Sequence, residues 1–356
     1  MTAYSIQQSS LTTHPTTSQQ PHQTNPLTRT EIKSLPKVEI HRHLEGSIRL
    51  STIIDLCKQL DIHVPNSDNH LTKSLEPYID MFCITDKVDN LTAFIEKMWH
   101  AQSLLKTPEI LERVAYEVCE DAFQNGVKLL EIRYSPSWIT ISHFIDHSEL
   151  TIESIHTAVV KGANKAQQDF DIVVGLIGIM DRSLDPGTAR ECLNFFLKNK
   201  KEFIGIDLAN DEKYSCLPFK ELYEEAKSFD VGLTCHAGES TTAQNVSETI
   251  INLNVTRIGH GFRSIHDEKV LDLLKKKKIL LEICPISNVR TGSVESMKSH
   301  PVRKLLDAGI KICINTDDPG MFNSNILDEY EELVKHHNFT KEEFFQCNLN
   351  ALEASF

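Results

Sequence analysis

The chain has 356 residues, 40% hydrophobic and 24% charged, which suits a globular protein with a large core and excludes collagen-like and wholly disordered readings. Lys plus Arg number 37 against 50 Asp plus Glu, a net charge of -13, the wrong sign for gripping a phosphate backbone, so nucleic acid is not an expected partner. No run approaches the ~18 apolar residues of a membrane span, and nine scattered cysteines without a C-x-x-C pair fit buried thiols in a reducing cytoplasm rather than a disulfide framework.

Residues from Met1 to about Arg29 are rich in Ser, Thr, Gln and Pro, contain no acidic residue and lack the apolar stretch of a secretory signal. A disordered polar tail is therefore expected over residues 1–30, followed by a single catalytic domain over residues 31–356. From there, short β-rich apolar runs recur at Val38 to His43, Lys128 to Tyr134, Ile172 to Asp181 and Phe203 to Ala209. Four more follow at Val231 to His236, Val255 to His260, Ile279 to Cys284 and Ile310 to Thr316. Amphipathic stretches with helical spacing separate them, including Pro108 to Gln124, Ile152 to Asp169, Ala189 to Asn199, Phe219 to Ser228, Asp267 to Lys277 and Val302 to Ala308.

Strands alternating with helices, and apolar on both faces, demand a parallel sheet with crossover helices. Eight such units predict an α/β chain folded as a (β/α)8 TIM barrel. A doubly wound sheet would carry a Gly-rich phosphate turn after its first strand, and neither G-x-G-x-x-G nor a P-loop occurs. The long piece from Ser51 to Pro108 exceeds a simple crossover and predicts a helical insertion after strand 1, over the barrel mouth.

The first strand ends in His41-Arg42-His43, whose spacing of two puts both imidazoles on one face. Alone, H-x-H is as well explained by ordinary polar residues at a strand end. The fifth strand, however, ends in His236-Ala237-Gly238-Glu239, the sixth in Gly259-His260-Gly261 and the eighth in Asn315-Thr316-Asp317-Asp318-Pro319. Each has a bland alternative: a satisfied core histidine, a tight loop, an Asx turn. All four lie at carboxyl ends of strands, the face where barrel residues converge on one cavity. Three imidazoles and one carboxylate, His41, His43, His236 and Asp317, make a donor set suited to zinc or a related divalent ion with room for a water. Such a metal makes water nucleophilic at neutral pH. His260 could then deprotonate that water or stabilise the developing oxyanion, Glu239 could protonate the substrate, and Asp318 is free for recognition.

These stretches, with Pro36 to Ser47, Arg257 to Gly261, Glu131 to Pro136, Gly205 to Ala209 and Glu282 to Pro285, resemble the adenosine deaminase family of the metal-dependent amidohydrolase superfamily. The resemblance runs from about Pro36 to the end of the chain. It implies one Zn2+ per subunit and hydrolytic deamination of a 6-aminopurine: metal-activated water attacks C6, Glu239 protonates N1 and His260 assists the water. It further implies that Asp318 hydrogen-bonds N7 and that a backbone N–H after the fourth strand contacts N3. Asn210 stands there in place of the usual Gly, keeping the donor and tolerating positive φ.

Substrate identity turns on Glu45, where adenosine-specific members usually have Asp against the ribose and adenine deaminases often have Glu. The Thr291-Gly292 pair resembles adenosine deaminases, and relatives acting on N6-methyl-AMP tend to carry Asn at position 45, so the nucleoside is the expected substrate. Adenine, or another 6-aminopurine nucleoside, is the alternative within enzymes, and a catalytically silent binding module the alternative outside them. No protein partner is identifiable. Tyr78, Ile79 and Phe82 match loosely an apolar lid over the ribose, with core packing as the other reading, and the chain from Asn348 to Phe356 is expected to leave the barrel floor less covered than in relatives.

Overall fold

A computed structural model describes residues 26–67, 74–88, 91–144 and 150–356. Its parallel strands are β1 (Lys37–His43), β2 (Val127–Tyr134), β3 (Val173–Asp181), β4 (Phe203–Ala209), β5 (Gly232–Leu233), β6 (His236–Ala237), β7 (Arg257–His260), β8 (Leu280–Ile283) and β9 (Ile312–Ile314). β1 to β5 form one ladder in chain order and β6 to β9 a second. β5 and β6 are two pieces of one stave. Across the gap, Thr234 N–H donates to the Ile206 carbonyl at 3.0 Å and the Cys235 carbonyl accepts from Gly259 N–H at 2.9 Å.

The ring closes between its last and first staves, where Arg42 bridges Asp317 in parallel register. His43 N–H donates to the Asp317 carbonyl at 2.8 Å and Asp317 N–H to the His41 carbonyl at 3.1 Å. Eight staves thus make the (β/α)8 barrel that the alternation predicts. The fifth departs from expectation by breaking at Thr234 and Cys235.

Local chemistry sets the crossovers. Thr107 caps the helix Pro108–Gln124, its hydroxyl accepting from Ile110 N–H, and Pro108 has no N–H to leave unpaired in the first turn. That helix buries Ile110, Leu111, Val114, Ala115, Val118, Cys119 and Ala122, one stripe at helical spacing. Each buried aliphatic side chain in such a stripe contributes about 1.5–3 kcal/mol relative to exposure. The next crossover, Ile152–Asp169, starts with a capping box at Thr151 and Ser154. The insertion after β1 carries the helices Leu50–Gln59, Glu76–Phe82 and Leu91–Gln102.

Two expectations are corrected. The first is the start of ordered structure. Thr28 caps a helix at Arg29–Ser34, Arg29 pairs with Asp328 at 2.7 Å, and Ile32 is buried, so residues 28–30 belong to the barrel's outer layer. The rest of the expected tail, residues 1–25, lies outside the described residues. Below the barrel, the end of the chain covers part of the floor. The helix Lys341–Ala354 packs beneath β1 and β9, with Asn348 accepting from Val38 N–H at 2.8 Å and Asn350 donating to the Ile312 carbonyl at 3.1 Å. Phe356 then fills the space under Gly205 and Gly232, its ring 3.6 Å from the Arg257 guanidinium. The second correction is the lid. Tyr78 and Phe82 are buried in the main core instead of facing the barrel mouth. Among the described residues no helix is long and apolar enough to cross a membrane.

Candidate active site

His41, His43, His236 and Asp317 place one donor atom each within 4.8 Å of one another at the carboxyl end of the barrel. β1 supplies two because His41 and His43, two residues apart on the strand, lie on the same face of it. Asp317, just past β9, is held at φ 64° by the closing bridge described above. Its Oδ1 lies 3.1 Å from His41 Nε2 and 3.2 Å from His43 Nε2, and the Nε2 atoms of His43 and His236 are 3.3 Å apart.

The buried layer beneath fixes what these atoms can do. His41 Nδ1 faces Glu282 Oε2 at 2.7 Å and His236 Nδ1 faces Asp207 Oδ2 at 3.0 Å. Arg133 joins both carboxylates at 2.8 Å each, and Arg257 binds Glu282 at 2.7 Å. Burial alone would raise the Asp207 carboxyl, but His236 and Arg133 outweigh it and hold it well below the usual range. Glu282 is lowered likewise by its two arginines and His41. Ionised carboxylates only accept, so each imidazole gives its N–H downward and turns a lone pair at Nε2 into the cavity. Burial pushes the His236 pKa down to about 3, keeping that ring neutral. Lone pairs from His41 and His236 therefore converge with the Asp317 carboxylate. That donor set fits a divalent cation.

Glu239 lines the same cavity. Its backbone is fixed by Glu212, which accepts Gly238 N–H and Glu239 N–H at 2.9 Å each, and by Arg263, which donates to the Glu239 carbonyl at 2.7 Å. Burial, with Asp317 and Glu212 adding negative charge, raises the Glu239 carboxyl to about 7 against the pull of His260. It is therefore poised to carry a proton at neutral pH. His260, left-handed at φ 59°, sets its Nε2 3.6 Å from Glu239 Oε2 and 3.8 Å from Asp317 Oδ2.

Asp318 is buried beside Asp317 and Glu45, and burial with those two carboxyls raises its pKa far above the ordinary value, so it holds a proton. Burial raises Glu45 as well, opposed by the Ser135 N–H that its Oε1 accepts at 2.8 Å. Asp318 Oδ1 and Glu45 Oε2 are buried without a hydrogen-bond partner among the described residues. Asn210 adopts φ 78°, as a Gly replacement must, and turns its side chain aside to donate to Asp181 Oδ2 at 2.8 Å. Of the nine residues expected to bind metal or substrate or to act on it, eight line one cavity of about 500 Å³ and His41 lies beneath its surface. Phe94, Met98 and Trp138 supply its apolar wall, not Tyr78, Ile79 and Phe82. Of the supporting set, Arg133, Asp207 and Glu282 lie in stretches that carry the family resemblance, but the sequence assigned them no role, and Glu212 lies outside those stretches.

The family model described as adenosine deaminase matches residues 36–356. The chain belongs to the adenosine deaminase family. It is 38% identical over 329 residues to the adenosine deaminase of Plasmodium gallinaceum, covering 91% of this chain and 87% of that one. Among solved structures, adenine deaminase from Arthrobacter aurescens superimposes with a TM-score of 0.80 at 27% identity, covering 90% of this chain and 94% of that one. An amidohydrolase from Burkholderia ambifaria with bound Zn has a TM-score of 0.80 at 25% identity, covering 94% and 90%. Adenosine deaminase family members are hydrolytic deaminases, and this chain is an enzyme of that kind.

Proposed function

We propose that the protein converts adenosine and 2′-deoxyadenosine to inosine and 2′-deoxyinosine with release of ammonia, as a zinc-dependent enzyme of cytoplasmic purine salvage. The observation that carries this reading is a metal-ready donor set and a carboxyl titrating at about 7 on the wall of one cavity. The relatives named adenosine deaminase support the substrate, the Burkholderia structure supports zinc, and nine free, buried cysteines suit a reducing compartment.

His41, His43, His236 and Asp317 would hold the zinc, which when bound supplies Lewis acidity that makes a water nucleophilic at neutral pH. The chain's own groups do the rest. Asp318, protonated, donates to purine N7, and the Asn210 backbone N–H reaches N3. Glu239 delivers its proton to N1, drawing electron density from C6 as the water oxygen adds there. His260 Nε2 faces that oxygen and holds it by a hydrogen bond. One proton of the water passes through the emptied Glu239 carboxylate to N6, the C6–N6 bond breaks and ammonia leaves carrying it; the other water proton returns to Glu239, and the 6-oxo purine remains with its proton on N1. Glu45 Oε2 receives a ribose hydroxyl.

Glu45 also favours a second reading, adenine as substrate, since a longer carboxylate reaches further toward the space where ribose sits. Ultraviolet assays of the metal-loaded protein with adenosine, 2′-deoxyadenosine, adenine and AMP, each with a chelated control, separate the two. Chelator-sensitive turnover of the nucleosides supports the first; preference for adenine would overturn it.

A further inference from the structure

The rings of His41 and His236 are anchored from below by carboxylates, whereas that of His260 meets a side-chain amide. His260 Nδ1 meets the Asn288 Nδ2 amide at 3.0 Å. On the other side of Asn288, Oδ1 meets His300 Nε2 at 3.2 Å, and His300 Nδ1 in turn accepts the backbone N–H of Val302 at 3.1 Å. Asn288 and His300 are both buried, and His300 stacks obliquely on Phe262 with ring centroids 5.6 Å apart. Neither residue lines the cavity or contacts the proposed zinc ligands' donor atoms.

The direction of this chain follows from its far end. A backbone amide can only donate, so His300 Nδ1 must present a lone pair. Burial, with His337 and His260 nearby, pushes the His300 pKa down to about 3, so the ring is neutral and its single proton is on Nε2. That N–H donates to Asn288, which forces the Asn288 oxygen toward His300 and its amide nitrogen toward His260. An amide N–H pointing at His260 Nδ1 requires a lone pair there. The remaining ring proton of neutral His260 is then on Nε2, facing Glu239 and Asp317.

We propose that His300 and Asn288 are positioning residues that fix the tautomer of His260, so that its Nε2–H donates a hydrogen bond into the cavity and the ring does not act there as a proton acceptor. The functional half of this inference rests on the deaminase reading. It decides between the two roles open to His260. A ring with its proton already on Nε2 stabilises the oxygen that adds to the purine and cannot remove that oxygen's proton. The tautomer itself is a property of the resting protein and is measurable without substrate.

The test is nitrogen NMR of the full-length, metal-loaded protein labelled at histidine, with the His260 signals assigned by their loss in His260→Gln. In the parent, Nδ1 of His260 should resonate as the pyridine-type nitrogen and Nε2 as the protonated one. Asn288→Asp keeps the side-chain shape but only accepts, so it should move the proton to Nδ1. With adenosine, the same variant should lose on the order of 10²-fold in kcat with KM within about threefold. His300→Gln restores a donor to Asn288 and should keep the parent tautomer and most of kcat, whereas His300→Leu removes the donor and should give mixed tautomers. A protonated Nδ1 in the parent, or an unchanged His260 spectrum in both Asn288→Asp and His300→Leu, overturns the proposal. Absence of adenosine turnover in a parent with the expected spectrum would defeat the substrate reading and leave the tautomer relay standing.

Discussion

Gly46 lies directly beneath Asp318, so close that a methyl group built on its α-carbon would collide with the Asp318 carboxyl. The turn that follows β1 therefore sets the position of the group that reads the purine. Gly46→Ala should displace that carboxyl by about an ångström and lower kcat/KM for adenosine by roughly 10²-fold. Metal content should be unchanged, since no proposed ligand moves. Metal analysis beside steady-state kinetics checks both, and wild-type kinetics would show that Asp318 does not position substrate.

Glu239→Gln keeps the shape and hydrogen-bonding reach of the side chain but has no proton to deliver. It should bind a full equivalent of zinc and lose about 10²- to 10⁴-fold in kcat. Turnover near the parent rate would remove Glu239 as the acid.

His236→Ala should lose the metal. Asp207→Asn weakens the partner that orients His236 and leaves the buried Arg133 charge less well paired. Its affinity for zinc should fall about 10- to 100-fold, read by competition with a chromogenic chelator. Equal affinity in Asp207→Asn and the parent would mean that His236 needs no such support.

The ribose side can be probed through Glu45. Glu45→Asp shortens the carboxylate that faces the cavity next to Asp318 and should change the ratio of kcat/KM for adenosine to that for adenine. An unchanged ratio would assign the choice of substrate elsewhere.

Away from the site, the buried Lys37 ammonium donates to the carbonyls of Ile32 and Leu35 at 2.7 and 2.8 Å. Burial, with Lys33 nearby, lowers its pKa from 10.5 to about 8. Between about pH 8 and 10.5 the unfolded chain thus holds more protons at this residue than the folded one, so its contribution to stability rises with pH across that window. Below pH 8 both states are charged and the burial penalty is present in full. Denaturant melts of the parent and Lys37→Met should show the difference shifting toward the parent from pH 7.5 to 10, and a constant difference would contradict the shift.

The barrel was legible because its signals are local. Thr107 with Pro108 and the Thr151 capping box mark helix starts, and the helices Pro108–Gln124 and Ile152–Asp169 begin and end where the periodicity places them. The short staves were legible as apolar runs, but the break at Thr234 and Cys235 was not, because the neighbouring strands' backbone bonds decide it. The helices Ile326–His337 and Lys341–Ala354 escaped the alternation because no strand follows the second. At the site, residues that touch substrate or metal cluster in short motifs at strand ends. Several of their supports lie in such stretches too, but what they support is set by distant staves. Glu282 reaches His41 from a stave 241 residues away, and Asn288 and His300 acquire meaning only when their rings and amide line up in space. A buried Glu or Asn in a list of residues looks like any other.

The strand ladder is interrupted at two places, the break between β5 and β6 and the bridge from Arg42 to Asp317. His236 stands on the first, and His41, His43 and Asp317 straddle the second. An ion held by all four would act as a keystone, tying the opening, middle and closing staves of one arch. Binding it would stabilise the closed ring over the open one by an amount that grows with the ion's concentration relative to its dissociation constant.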